Sequence, residues 1–158
     1  MTAQASEKLF YKGEVHNLCT IPLGPWVENN ALPLKFSASS SALWRGYIGT
    51  WVIEKERLYL QKLNGHVVNA QGLSEQVGLD AIFPNFPDGV FAHWFSGTLR
   101  CPKGALLKYV HGGFASVYEE DLFIDVHQGV VTGEKLVRNG AAAPDAPQDY
   151  VLAAQTNF

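Results

Sequence analysis

Basic charge, cysteine and long apolar runs are all scarce in this chain, and each scarcity excludes something. Twelve Lys and Arg stand against fifteen Asp and Glu, a formal charge of −3. No cationic surplus is available to neutralise phosphates, so nucleic-acid binding is not expected. Charged residues of both signs make up 17% of the chain, below the roughly 25% usual in soluble domains. Cys19 and Cys101 are the only cysteines, and they lie far apart with no metal-binding spacing. A disulfide between them is one reading, and two buried or half-buried thiols are the plainer one. No stretch approaches the roughly 18 apolar residues that cross a bilayer. The opening MTAQASEKLFYKGE lacks the apolar segment of a signal peptide. The expected location is a reducing cytoplasm, with no membrane partner.

Aromatic residues, by contrast, are plentiful. Nine Phe, six Tyr and four Trp sit in a chain that is 47% hydrophobic, which excludes a disordered protein. Fifteen Gly and eight Pro imply many tight turns and favour short strands over long helices. A length of 158 residues suits about one domain with one core. The expected fold is therefore mainly β, an antiparallel meander that forms a barrel or a sandwich, with one or two short helices. Residues 1–139 are expected to form that β-rich domain. Residues 140–158, GAAAPDAPQDYVLAAQTNF from Gly140, have the composition of a C-terminal tail.

Local patterns place the elements. Residues 9–18 alternate loosely about a Lys12-Gly13 turn. Residues 26–41 are turn-rich and predict a loop followed by a short strand, LKFSAS. Trp51 and Ile53 alternate with Val52 and Glu54, residues 54–57 form a charged turn, and Leu58-Tyr59-Leu60 begins a return strand. Asn64-Gly65 carries a short-range hairpin signal. Ser74 is placed to cap one or two helical turns, which Pro84 would stop. Residues 91–131 hold the densest alternation, and Gly pairs with a Pro102-Lys103-Gly104 turn cut them into hairpins. Gly104 to His111 reads either as a short helix with a Gly C-cap or as a strand ending in a turn, and the strand is preferred. A weak echo links the segments around Trp51 and Leu58 to those around Tyr118 and Leu122, and two hairpins obeying the same turn rules account for it as well as a duplication.

Chemistry-bearing residues are present without a joining motif. The five histidines show no HxH or HExxH spacing. A convergent set of His93, His111 and Glu119 is the one metal combination to consider, and hydrogen-bonded or surface histidines are the plainer account. No metal or cofactor is expected. Ser96 and Ser116 lie outside any G-x-S-x-G elbow, while Cys101 with His93 or His111 would be a thiol–imidazole pair only if folding joined them. Glu119-Glu120-Asp121 suits a solvated acidic face better than a glycosidase pair. The clusters Trp44-Arg45-Gly46-Tyr47 and His93-Trp94-Phe95-Ser96-Gly97 suit either a recognition surface or a packed core.

Three segments in order, LWRGYIGTW, FAHWFSG and LLKYVHGGFASVYEEDL, resemble a family of small uncharacterised bacterial proteins. The likeness covers residues 10–139. It implies no established activity and no catalytic residues. Two functions follow as expectations. The first is a non-enzymatic protein-binding module, immunity- or adaptor-like, with Trp44 or Trp94 as anchors. The alternative is a small-molecule or hydrolytic site in the mouth of the β domain, lined by Trp94, Tyr109, His111, Tyr118 and Arg45, with His93 and Glu119 as further candidates.

Overall fold

The computed structural model describes residues 2–30, 32 and 34–141. Strands dominate: β1 (Glu7–Tyr11), β2 (Glu14–Leu18), β3 (Tyr47–Glu54), β4 (Arg57–Val68), β5 (Ser74–Val77), β6 (Val90–Phe91), β7 (Gly97–Lys108), β8 (Val117–His127) and β9 (Val130–Arg138). One short helix, α1 (Gly24–Asn29), and one 3-10 turn (Leu79–Ala81) accompany them. The strands form a single mixed sheet in the order β2-β1-β3-β4-β9-β8-β7, with β5 and β6 both pairing to β4. The mainly β expectation holds. One pair departs from the antiparallel rule, since β1 runs parallel to β3.

The sheet coils back on itself without closing into a barrel, and the reason is visible where its two ends approach. Cys19 donates its backbone N–H to the Arg100 carbonyl at 2.8 Å, and the Arg100 N–H donates to Thr20 Oγ1 at 2.9 Å. Arg100 thus turns its main chain toward β2. Two residues on, Pro102 faces the same way and has no N–H to give. Beyond it the edges part over a cleft of about 430 Å³ between residues 14–17 and 102–104. An edge proline is a common means of ending strand pairing.

Alternation along each strand builds the core. Side chains at i, i+2 and i+4 share a face, so Leu9, Trp51 and Leu60 form one inward row across β1, β3 and β4. Leu99 faces Ile124 across β7 and β8. All five are fully buried, each contributing about 1.5–3 kcal/mol. Trp26, Phe83 and Trp94 pack against this core, with the Phe83 and Trp94 rings stacked at 5.8 Å.

Tight turns follow the expected chemistry. Lys12 and Gly13, and likewise Lys55 and Glu56, adopt positive φ in two-residue hairpin loops, the geometry that matches strand twist.

Several local expectations are corrected. Asn64-Gly65 is not a turn: β4 runs through it, Gly65 pairs with Tyr47, and a Cβ there would stand 2.7 Å from Phe36 Cε1. The glycine serves close ring packing. Pro102-Lys103-Gly104 does not cut the chain either, because β7 continues past it with a register shift beyond Lys103. Ser74 opens the strand β5 instead of capping a helix, since its backbone pairs with Val68. In the stretch read as a loop, residues 24–29 are helical with Pro25 in the first turn, where its missing N–H costs nothing. The LKFSAS strand reduces to one bridge, Phe36 with Val67. The internal echo has no structural counterpart. Trp51 and Leu58 sit on two strands, whereas Tyr118 and Leu122 share β8. From residue 142 onward the expected tail lies outside the described residues.

Candidate functional site

The residues expected to form a site are dispersed, most of them into structural roles. Arg45 lies against the core, where its Nη2 donates to Glu7 Oε2 and to the Ala5 carbonyl, both at 2.8 Å. Glu7 is fully buried and also accepts from the Gly49 N–H at 2.9 Å and from Trp51 Nε1 at 3.1 Å. Burial pushes the Glu7 carboxyl above its ordinary value, and Arg45 opposes that rise without cancelling it. A carboxylate held by three donors and closed to solvent is not placed to exchange a proton with a substrate.

Trp94 donates Nε1 to the Pro22 carbonyl at 2.8 Å and belongs to the core aromatics. His93 is exposed, its ring set edge-on to Trp94. Tyr118 is buried, which pushes its phenol up to about 12. Glu119 accepts the Ala105 N–H at 2.6 Å and fills the space above Gly104, where a Cβ would come 2.8 Å from its Oε1. Tyr109 and His111 meet, with the phenol oxygen 3.0 Å from Nδ1, and both are exposed. Trp44 stands half exposed ahead of β3. Among the described residues no group of three or more His, Cys, Asp or Glu is placed to hold a metal, so His93, His111 and Glu119 do not assemble.

The nucleophile candidates are likewise occupied. Ser116 Oγ is buried and bonds both backbone groups of Val110. Ser96 Oγ accepts the Gln128 N–H at 2.8 Å. Cys101 is fully buried and free, and burial pushes its thiol up to about 12. In place of the expected solvated acidic face, Asp121 is buried. It accepts from Arg100 Nε at 2.8 Å and from Asn139 Nδ2 at 2.9 Å. Arg100 also donates to the Phe114 carbonyl and, at 2.9 Å, to the Ser116 carbonyl. This guanidinium ties β7, β8 and the 110–116 loop together.

Of two structural residues missed in the sequence, one had a local signal. Glu7 shares the phase of Leu9 and Tyr11, a carboxylate aligned with two core residues. Arg100 follows the buried Leu99 and has no such mark, because its partners are gathered by the loop.

Two adjoining clefts, of about 460 and 380 Å³, share Tyr11, Lys12 and Glu134. Lys12 Nζ pairs with Glu134 Oε1 at 2.7 Å and Tyr11 OH reaches Glu134 Oε2 at 3.2 Å. None of the expected site residues lines these clefts.

The outward face of the sheet presents a different feature. Because Leu9, Trp51 and Leu60 point inward, Phe10, Val52 and Tyr59 point out. Direct cross-strand pairing links Val15 to Phe10, Phe10 to Val52, Val52 to Tyr59 and Tyr59 to Phe91. An unbroken apolar stripe therefore crosses β2, β1, β3, β4 and β6. Val15 is 60% and Phe10 42% exposed, and the other three are half-buried. The Tyr59 and Phe91 rings lie 5.7 Å apart, and the Arg57 guanidinium sits 5.7 Å from the Phe91 ring. At strand spacings of about 4.8 Å, four intervals make the stripe about 19 Å long.

No family model, curated protein or solved structure matches the chain. No helix among the described residues is long and apolar enough to cross a membrane.

Proposed function

We propose that this protein is a non-enzymatic protein-binding module that docks its partner on the outward stripe centred on Phe10, Val52 and Tyr59. The stripe carries the reading. A sheet face that meets water alternates polar residues outward, and here one complete cross-strand row is apolar instead. Contiguous exposed apolar area of this kind marks interaction surfaces, and aromatic residues dominate the energetics of such contacts. The burial and hydrogen bonding of Glu7, Ser116 and Asp121 agree with a module whose polar interior maintains structure. An immunity- or adaptor-like role in a bacterial cytoplasm accords with the motif resemblance and with two unpaired thiols. Trp44 remains a second surface anchor, whereas Trp94 is committed to the core.

The test is affinity capture from the source cells followed by native mass spectrometry, comparing wild type with Phe10→Glu and Val15→Glu. Both positions are exposed, so circular dichroism spectra should be unchanged. A protein retained by wild type and lost with either variant supports the reading. Identical partners for all three chains would sink it. The clefts about Tyr11 favour the second reading, a small-molecule site, because their volumes fall within the usual ligand range. A retained non-protein mass that disappears with Tyr11→Ala would move the conclusion there.

A further inference from the structure

The charges beside the stripe differ in sign from those of the chain as a whole, and they specify what it contacts. The row next to it on the same face runs through direct pairs, Asn17 to Lys8, Lys8 to Thr50 and Thr50 to Lys62. Both lysines are exposed. Lys8 Nζ bonds the neutral Asn17 Oδ1 at 2.6 Å, and neither lysine has an acidic partner among the described residues. On the opposite flank Glu54 faces Arg57 across β3 and β4, so one acid there meets one base. The stripe is thus bordered by three cations and one anion, in a chain whose formal charge is −3. Three acidic residues are committed elsewhere. Glu7 and Asp121 are buried in ion pairs, and Glu134 pairs with Lys12 over the clefts.

A second copy of the chain fits this face poorly. A two-fold axis along the strands sets Lys8 and Lys62 of one copy against the same lysines of the other. An axis along the stripe sets Lys62 against Arg57. Both place like charges together, which an interface avoids.

We infer that the stripe binds an acidic segment of a different protein, one presenting apolar side chains along about 19 Å with carboxylates on the side that meets Lys8 and Lys62. Those lysines stand two strands apart, about 10 Å, so the matching carboxylates are separated by a similar distance. An extended segment of about six residues spans the stripe. This inference rests on the stripe being a protein contact. Apolar contacts along the row supply the adhesion, and the basic flank fixes the orientation and speeds encounter.

The test uses the full chain and a phage-displayed library of random peptides about twelve residues long. Peptides are selected on wild type, counter-selected on Phe10→Glu, then synthesised and measured by fluorescence anisotropy at low and high salt. The expected peptides combine Phe, Trp, Leu or Ile with several Asp or Glu. Their affinity should fall about tenfold or more in the double variant Lys8→Glu/Lys62→Glu, and Lys-for-Glu peptides should recover it. Peptides that depend on Phe10 but lack acidic enrichment, or ignore the lysine reversal, would overturn the inference while leaving the stripe a contact surface. No Phe10-dependent peptide at all would instead remove the protein-contact reading itself. Phe10-dependent binding to vesicles of equal phosphatidylserine and phosphatidylcholine, without peptide binding, would overturn the inference in favour of a lipid surface.

Discussion

Glu7 and Arg45 form an ion pair inside the protein, 2.8 Å from carboxylate to guanidinium, with 0% and 10% of their side chains exposed. Both Glu7 oxygens accept hydrogen bonds, whereas Arg45 Nε and Nη1 have no partner among the described residues. The pair is therefore asymmetric. Both oxygens of its acid are bonded, and its base carries unsatisfied N–H groups that each cost about 1–3 kcal/mol.

That asymmetry predicts a double-mutant cycle. Arg45→Met leaves a buried carboxylate without its cation and should cost about 3–5 kcal/mol. Glu7→Leu leaves the cation stranded and should cost a comparable amount. The double variant should cost much less than the sum, because it leaves neither buried charge without its partner. Urea unfolding of the four proteins gives the coupling energy directly. Strict additivity would show that the pair does not act as a unit.

Arg100 joins three segments through one guanidinium. Arg100→Lys keeps the charge but loses the fork that reaches Asp121, Phe114 and Ser116 together. A stability loss of about 2–4 kcal/mol is expected. Hydrogen exchange should quicken most at residues 110–116, the loop held by the two carbonyl contacts. Uniform quickening across β7 and β8 would instead place the latch elsewhere.

His16 provides a pH dependence with a defined sign. Its ring is buried, and burial lowers its pKa below the ordinary histidine value even though Glu14 at 3.5 Å pulls the other way. The folded state then binds fewer protons than the unfolded chain. Its contribution to stability is complete above the unfolded pKa and is lost as the pH falls through the folded one. Between about pH 7.5 and pH 5.5, His16→Gln should lose less stability than wild type. Parallel urea midpoints for the two proteins would remove His16 from the acid response.

The two thiols are predicted to be slow. Burial pushes Cys19 up to about 11 and Cys101 up to about 12, and the thiolate is the reactive form. At about pH 8 both should resist Ellman's reagent in the folded protein and react at once in guanidinium. Rapid labelling of the native chain would contradict the burial of Cys101 and the partial burial of Cys19.

Strand content, the hairpin turns at Lys12-Gly13 and Lys55-Glu56, and the inward place of Trp51 are written in the sequence. Two-residue alternation and turn residues act within a few positions, where local sterics decide. Phe10, Val52 and Tyr59 each carry the outward phase of their own strand, yet no single strand reveals that they join. That row exists only because β1 lies parallel to β3 and β4 returns in register, a choice made by packing between distant segments. The same holds for Arg100, whose partners come from three places, and for Gly65, which resembles a turn signal until Phe36 is laid over it. Pro102 shows the division most clearly. The lost N–H is fixed by residue type, but its effect of keeping the sheet open arises only where the fold brings β2 alongside. Local periodicity settles which face of a strand is buried, and long-range register decides which buried charges pair and which outward residues meet.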